Sequence, residues 1–338
     1  MTKGGARKPT SFDVARLAGV SRSAVSRAYT PGAAIAPETR ERVKDAAATL
    51  GYRVNSLARG LQQDHSNIVG LVASRLDTPL RSHQVRTLSE CLIRQGFKPM
   101  LIAADHAADI EQLADGLLGY NIAGMIFTSD TPPRTLIEEC EQLGLPVVLI
   151  NRADVTDWAD RVLTDNTDAG GLAFRLLTQV GAKHLGCLMP GRETYSVCGR
   201  ARAFVAAAAR NGIEATVILS ENQTYAGARR TIEHLDKAQL RSIDGLFCAT
   251  DLMAIGALDG IRLVHGMSVP EDIQVLGFDD IEQAGWAAYD LSTIHQDVDA
   301  QSDTAIRLLT ERIRNRSLPK RVIRLGLSSV MRGTTRND

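Results

Sequence analysis

Two arginines and two serines fall within six residues near the start of the chain, in the segment RSAVSR at 22–27. On a helix at about 100° per residue, their side chains share one face and the small apolar residues between them share the other. Guanidinium groups pair with guanine N7 and O6, and hydroxyls bond to base edges or phosphates. The pattern therefore favours DNA contact over the solvated basic face of an ordinary helical hairpin. The four residues are Arg22, Ser23, Ser26 and Arg27.

The surrounding segment DVARLAGVSRSAVSRAY, residues 13–29, predicts two short helices around a tight turn. Apolar residues of the first helix, Leu17 among them, have the i, i+3, i+4 spacing of a one-sided helix. Gly19 is expected to end this helix, since glycine adopts the left-handed conformation without steric cost. Ser21 is expected to cap a second helix that runs to about Tyr29.

A third helix is predicted from Pro37 to Leu50, with Ile35 packing back against it and Gly51 ending it. Residues 1–62 contain eleven Lys/Arg and four Asp/Glu, a net charge of +7, so the remaining 276 residues carry −7. A basic head on an acidic body indicates that contact with a polyanion is confined to the head.

The next segment, NSLARGLQ at 55–62, has Asn55 as a candidate cap and Leu61 on an apolar face. A helix this short is not stable alone in water. Two interpretations are open. The segment is either a fraying linker or a hinge helix that folds only against a partner and DNA, with Leu61 as an apolar wedge.

The first 62 residues resemble the DNA-binding head and hinge of the LacI/GalR family of bacterial transcriptional regulators, through DVARLAGVSRSAVSR and APETRERVKDAAATLGYRVNSLARGL. The resemblance implies that the second helix reads base edges in the major groove and that the hinge leucine wedges into the minor groove. Ala36 departs from the usual Ser or Thr cap, and Gly60 from a bulkier residue. The predicted DNA-binding set is Ser21, Arg22, Ser23, Ser26, Arg27, Asn55 and Leu61.

From residue 67 onward, short apolar runs rich in β-branched residues alternate with helical stretches. Such strands between helices indicate parallel sheets covered on both faces, and their number favours two doubly wound lobes. VIRLGLSSVMRG, near the end, is expected to close the sheet. The predicted fold class is α/β: an all-helical head, a hinge helix and two parallel-sheet lobes. The predicted strands are 68–73, 99–103, 124–127, 146–150, 184–189, 216–219, 245–249 and 273–278.

Ligands of open parallel sheets bind beyond the carboxyl ends of the strands. Asn151, Thr250 and Asp279 each follow a predicted strand, and Arg200 lies near the start of the helix after another. A carboxylate and a guanidinium suit vicinal hydroxyls or an acid group, and Trp286 could supply a stacking face. These five residues are the predicted effector-binding set, although each is also compatible with a helix cap or a loop position.

The body resembles the periplasmic-binding-protein-like regulatory domain of the same family, through TDLMAIGALDGIRLVHGMSVPEDIQVLGFDD and LSTIHQD. The resemblance implies that Asp279, Arg200 and Asn151 contact an effector, by family habit a sugar, sugar acid or nucleobase. Thr250 replaces a frequent Asn, and Ala203 replaces the usual Gly. The implied domains are a head at 1–54, a hinge at 55–65, a first lobe at 66–163 plus 293–324, and a second lobe at 164–292 plus 325–338.

The resulting hypothesis is an effector-controlled transcriptional regulator, most simply a repressor, that binds pseudo-palindromic operator DNA as a homodimer. An enzyme is the first rival, but the sequence lacks G-x-G-x-x-G after a strand, a Walker loop and a nucleophile elbow. A solute-binding protein is the second, but it leaves the +7 head unexplained. The five cysteines lack metal-ligand spacing, so no metal or cofactor is expected. No apolar run suggests a membrane segment, and the expected location is cytoplasmic.

Overall fold

The computed structural model describes residues 7–30, 32–53, 67–103, 116, 119–128, 134–152, 158–191 and 194–336. The chain divides into two compact units, Met1–Asp64 and His65–Asp338, which are described separately below as the head and the body. The predicted hinge residues Asn55 and Leu61 lie outside the described residues.

The described residues of the head form three helices, α1 (Ser11–Ala18), α2 (Arg22–Ala28) and α3 (Pro37–Leu50). As predicted, Gly19 ends α1 in the left-handed conformation at φ 64°. The Ser21 hydroxyl caps α2 by accepting from the backbone N–H of Ala24 at 3.2 Å. Local capping chemistry therefore sets the helix boundaries in this part of the chain.

The three helices of the head pack around one small aliphatic core. Val14 of α1, Val25 of α2 and Val43 of α3 are almost fully buried in it. Ile35 packs against its edge, as predicted. The prediction for Leu17 was wrong, because this side chain is 53% exposed and the neighbouring Ala15 takes its place in the core.

Over the described part of the body, the strands form two six-stranded sheets that are parallel except for one antiparallel edge pair. The first sheet has the order β11-β5-β4-β3-β1-β2 and the second has the order β12-β10-β9-β8-β6-β7. The strands are β1 (Ile68–Ala73), β2 (Lys98–Ala103), β3 (Gly124–Phe127), β4 (Val147–Ile150), β5 (Asp160–Thr164), β6 (Leu185–Pro190), β7 (Thr216–Ser220), β8 (Gly245–Cys248), β9 (Gln274–Asp279), β10 (Ser292–Gln296), β11 (Val322–Leu325) and β12 (Leu327–Val330).

Helices cover both faces of each sheet, and each sheet with its helices forms one lobe. Two apolar clusters flank the first sheet and two flank the second, as the doubly wound prediction requires. The helices are α4 (Pro79–Arg94), α5 (Arg134–Gln142), α6 (Asn166–Gln179), α7 (Tyr195–Arg210), α8 (Tyr225–His234), α9 (Lys237–Arg241), α10 (Asp251–Asp259) and α11 (Val298–Arg314). A π-helical turn, Gly260–Val264, extends α10.

The chain crosses from the first sheet to the second after Thr164, returns after Gln296 and crosses again at Gly326. The expected return at 292 was wrong, because β10 pairs in parallel with β9 in the second sheet. Residues 293–296 therefore belong to the second lobe. The segment expected to close the sheet forms two strands, β11 in the first sheet and β12 in the second, close to the expected division between the lobes at 324 and 325.

A buried ion pair ties the return helix α11 to the first sheet. Asp160, fully buried at the start of β5, accepts bonds from Arg312 Nε and Nη2, both at 2.8 Å, and from Arg321 Nη2 at 3.2 Å. Burial alone would raise the pKa of Asp160, but the bonds from the two guanidiniums hold it below its ordinary value. This pair joins segments about 150 residues apart and fixes the first lobe.

Candidate functional site

The exposed face of α2 carries the four side chains predicted for DNA contact. Arg22, Ser23, Ser26 and Arg27 are all exposed, and the opposite face packs into the head core. Arg27 Nε donates to the backbone carbonyl of Ser23 at 3.4 Å, which lays its guanidinium along the helix. The structure therefore places these four side chains on one exposed face of α2, and their contact with DNA stays a prediction.

Two further contacts shape this face. Ser21 Oγ lies 2.8 Å from Ser23 Oγ while it caps α2, so the two hydroxyls form one polar group at the helix start. The Arg22 guanidinium stacks 4.4 Å from the ring centroid of Phe12, a residue of α1 that is 62% exposed. Sequence reasoning missed Phe12, although an aromatic residue that breaks the apolar spacing of α1 was a usable signal.

The body contains a cavity between its two lobes, at the carboxyl ends of the strands. It encloses about 750 Å³ of space not filled by atoms, part of it open to solvent. The first lobe contributes the loop after β1, the first turns of α4, and residues after β4. The second lobe contributes the start of α7 and residues after β8 and β9. This is the position at which open parallel sheets bind ligands.

Asp279 and Arg200, predicted to bind effector together, form a buried pair in the cavity wall. Arg200 Nη1 lies 3.3 Å from Asp279 Oδ1, and its guanidinium stacks 3.8 Å from the Phe278 ring centroid. Gln296 Nε2 donates to the same carboxylate oxygen at 2.6 Å. Asp279 adopts φ 128°, a conformation that L-residues rarely take and that clusters at binding sites.

A second carboxylate, Asp251, lies fully buried behind Asp279. It accepts from Thr293 Oγ1 at 2.6 Å and from the N–H of Ile281 at 2.9 Å. A Cβ on Gly277 would come within 2.1 Å of Asp251, so only glycine fits there. Burial and the charge of Asp279 raise the pKa of Asp251 to about 7. Burial raises the pKa of Asp279 to about 6 against the opposing effect of Arg200.

A chain of carboxamides crosses the cavity floor from one lobe to the other. Gln296 Oε1 accepts from Gln301 Nε2 at 3.2 Å and faces Asn151 Nδ2 at 3.4 Å. Gln301 Oε1 accepts from Gln84 Nε2 at 3.1 Å, and Gln84 accepts from Arg81 Nη1 at 2.7 Å. Asp279 of the second lobe is therefore linked to α4 of the first through unbroken hydrogen bonds.

The cavity brings together four of the five residues predicted for the effector. Asn151 lines it at φ 54°, accepting from the N–H of Thr164 at 2.8 Å. Thr250 lines it while capping α10. The fifth, Trp286, does not line the cavity: its side chain is 49% exposed after a 3₁₀ turn.

Sequence reasoning missed several cavity residues of the same kind. Gln296 ends β10, so the rule that found Asp279 would have found it if the polar run STIHQ had been predicted as a strand. Arg75 follows β1 by two residues, and Arg81 and Gln84 lie in the first turns of α4. Gln301 had no comparable signal, because α11 follows a strand of the second lobe in the sequence but packs against the sheet of the first lobe.

Neither the head nor the body, over the residues that the structure describes, has a helix long and apolar enough to cross a membrane. All five cysteines are buried free thiols.

Two family models match the chain. The model for bacterial regulatory proteins of the lacI family matches residues 12–55, and that for the periplasmic binding protein-like domain matches residues 174–335. The HTH-type transcriptional repressor PurR of Aliivibrio fischeri is 26% identical over 97% of this chain and 98% of its own length. The HTH-type transcriptional regulator CelR of Thermobifida fusca is 29% identical over 91% and 92%.

Solved structures share the fold. The lac repressor dimer bound to operator and the anti-inducer ONPF superposes with a TM-score of 0.85 at 22% identity, covering 97% of this chain and 99% of that one. A complex of the transcriptional regulator CelR with cellobiose gives 0.72 at 25% identity, covering 96% and 99%.

A helix-turn-helix head combined with a two-lobed body that encloses a polar cavity defines the class of ligand-controlled transcriptional regulators. Residues 12–55 match the lacI family of bacterial regulatory proteins, residues 174–335 match the periplasmic binding protein-like domain, and the relatives that the chain matches over nearly their full length are HTH-type transcriptional regulators.

Proposed function

We propose that this protein is a transcriptional repressor whose binding to operator DNA is controlled by a small polar metabolite held between the two lobes. The observation that carries the proposal is the Arg200–Asp279–Gln296 cluster in an interlobe cavity, on a chain whose head exposes two arginines and two serines on one helix face. The cavity is assigned to reversible binding and not to catalysis.

The head supplies the DNA contacts in this proposal. Arg22 and Arg27 pair with guanine edges in the major groove, while Ser23 and Ser26 bond to bases or phosphates. The stacking of Arg22 on Phe12 reduces the conformational freedom that the guanidinium loses on binding. Ser21 holds the start of α2, where free N–H groups face a phosphate.

The operator is proposed to be pseudo-palindromic and the protein a homodimer. Two heads then occupy successive major grooves, with half-sites about one helical turn apart. Asn55 and Leu61 belong to the proposed hinge helices, which pair at the operator centre. Leu61 opens a pyrimidine–purine step, the kind that kinks at least cost.

Gln296 provides a physical route for control by the ligand. Its amide N–H₂ bonds to Asp279 in the second lobe, and its oxygen accepts from Gln301 in the first. A ligand hydroxyl that bonds to Asp279 competes for that carboxylate and changes the position of Gln296. Such a ligand shifts the angle between the lobes only by its differential affinity for the two arrangements, typically about 1–3 kcal/mol.

The test begins by selecting duplexes from a random pool with the full-length protein and measuring their binding by fluorescence anisotropy. We expect a palindromic consensus and an affinity that falls steeply between about 50 and 200 mM salt. A thermal-shift screen of sugars, sugar acids and purines then identifies the effector, which must change operator affinity. A selection that yields no preferred sequence contradicts the proposal.

A further inference from the structure

An aromatic ring lies against one of the arginines on the exposed face of α2. Phe12, the second residue of α1, is 62% exposed and projects outside the apolar cluster that the described helices of the head enclose. The guanidinium carbon of Arg22 lies over this ring, 4.4 Å from its centroid. The ring is therefore held against the polar face of α2.

The stack leaves the hydrogen-bonding edge of Arg22 open. The N–H donors of a guanidinium lie in its plane, whereas the ring covers one face of that plane. Asp13, the acidic residue of α1, is bonded to Arg16 at 2.8 Å and lies 3.5 Å from Arg7. Arg22 forms no ion pair with a described residue of the head. It can therefore pair with a base edge while it stays stacked on Phe12.

The geometry of DNA then sets the position of the ring in a complex. A guanidinium that pairs with guanine N7 and O6 lies in the plane of that base. Successive base pairs are stacked about 3.4 Å apart. This spacing is close to the 4.4 Å between the guanidinium carbon of Arg22 and the Phe12 ring centroid. A ring stacked on Arg22 is therefore level with the neighbouring base pair and faces its major-groove edge.

The major-groove edge of that base pair offers an apolar group only where it contains thymine. Guanine, cytosine and adenine present hydrogen-bond donors and acceptors there, and thymine presents a methyl group beside its one acceptor. Contact between the ring and a polar edge removes water from donors and acceptors without replacing their bonds, which is unfavourable. A methyl group instead allows the exposed surface of Phe12 to be buried favourably.

We propose that Phe12 contacts the methyl group of a thymine next to the guanine that Arg22 binds, so that the stacked pair recognises two adjacent base pairs. This inference rests on the proposed function and adds a specificity-determining residue to its DNA interface. Arg22 supplies the hydrogen bonds, and Phe12 supplies the apolar contact while it holds the guanidinium in position.

Replacement of single thymines by deoxyuridine tests the contact, because it removes the methyl group and leaves the base pair intact. Each thymine of the selected operator is replaced in turn, and the affinity of the full-length protein is measured by fluorescence anisotropy. The guanine that Arg22 binds is the one at which Arg22→Ala relaxes specificity. We expect deoxyuridine at the adjacent thymine of one half-site to weaken binding about fourfold, the effect of one buried methyl group.

Two variants assign this loss to the ring. With Phe12→Ala, the thymine and deoxyuridine duplexes should bind equally, because the methyl group has lost its contact. Leu17→Ala is the matched control, a change at an apolar residue of α1 that is 53% exposed. It should leave the preference for thymine at about fourfold. Thermal denaturation verifies that each variant is folded.

The inference is overturned if the consensus has no thymine beside that guanine, or if loss of the methyl group there leaves the affinity unchanged. It is also overturned if Phe12→Ala weakens binding to both duplexes and keeps the preference for thymine, because the ring then only orients Arg22. A changed oligomeric state of the DNA-free Phe12→Ala variant would show that a second copy covers the ring, which likewise rejects the contact. A selection that yields no preferred duplex rejects the proposed function itself.

Discussion

Arginine is used differently in the head and in the body. In the head, Arg22 and Arg27 are exposed, and the contacts that orient them are an aromatic ring and a backbone carbonyl. In the body, Arg312 is largely buried and makes two bonds of 2.8 Å to Asp160, and Arg200 is buried against Asp279 at 3.3 Å. The same side chain is exposed in the head, where we propose that it contacts DNA, and makes internal ion pairs in the body.

Within the body, the two buried carboxylates Asp160 and Asp279 differ in how many guanidinium bonds they accept. Asp160 receives bonds from two guanidiniums, and its pKa is lowered as a result. Asp279 has one longer ion pair, and burial raises its pKa. A fully compensated carboxylate stabilises the fold, whereas an undercompensated one keeps capacity for a ligand. We infer that the number of compensating guanidinium bonds, more than burial, distinguishes the structural carboxylate Asp160 from Asp279, which we propose binds the ligand.

The largest expected effect is that of Asp160→Asn. The change removes the fully buried negative charge to which both Arg312 and Arg321 are bonded, and breaking such a pair costs about 3–5 kcal/mol. Urea denaturation of the full-length protein measures it. Asp168→Asn, an exposed carboxylate on α6, is the matched control and should cost less than about 1 kcal/mol. Equal stability of the two variants would show that the ion pairs of Asp160 do not stabilise the fold.

The same substitution at Asp279 should have the opposite profile. Asp279→Asn should lower the free energy of unfolding by less than Asp160→Asn does, about 1–3 kcal/mol, because it removes one ion pair of 3.3 Å with the buried Arg200 while burial already disfavours the charged form of Asp279. It should weaken effector binding about tenfold to a hundredfold, the effect of losing a charged hydrogen-bond partner. Calorimetry and denaturation on one preparation separate the two readouts. A collapse in stability comparable to that of Asp160→Asn would contradict the distinction.

In the head, Arg27→Ala and Arg22→Ala should each weaken operator binding about tenfold and relax specificity at one base position. The stability of the head should be unchanged, because both side chains are exposed. Anisotropy on duplexes that carry single base changes measures the relaxation. A uniform loss of affinity across all duplexes would reassign these arginines to phosphate contacts.

The smallest expected effect is a pH dependence with opposite signs at the two carboxylates. The lowered pKa of Asp160 gives stability that is present above its ordinary value of 3.8 and lost as the pH falls further. The raised pKa of Asp279 gives stability that is present below 3.8 and lost as the pH rises through about 6. Asp279→Asn should therefore flatten the decline in Tm between about pH 4 and 7.

In the same Tm series, Asp160→Asn should flatten only the acid limb. If Asp160→Asn instead flattened the decline in Tm between about pH 4 and 7, and Asp279→Asn flattened the acid limb, the assigned directions of the two pKa shifts would be wrong.

Local chemistry made the head predictable. Gly19 and Ser21 act within one turn of their own helices, so the sequence alone places α1 and α2 and the face of α2. Leu17 was misjudged because its exposure depends on where α3 packs. In the body, apolar strands such as β1 and β8 were found, whereas β10 was missed because Ser292 and Thr293 are buried polar residues.

The sequence by itself determined the order of helices and strands, the caps, and the polar residues at strand ends, because these depend on side chains within a few positions. Only the tertiary structure decided that Asp160 meets Arg312 across 152 positions, that Gln296 bridges the lobes, and that Trp286 does not line the cavity. Such contacts arise because the chain passes back and forth between the two sheets and so brings together residues that are distant in sequence. A buried charge or amide forms its hydrogen bonds with the polar groups that the tertiary structure places beside it, and sequence spacing does not identify those groups.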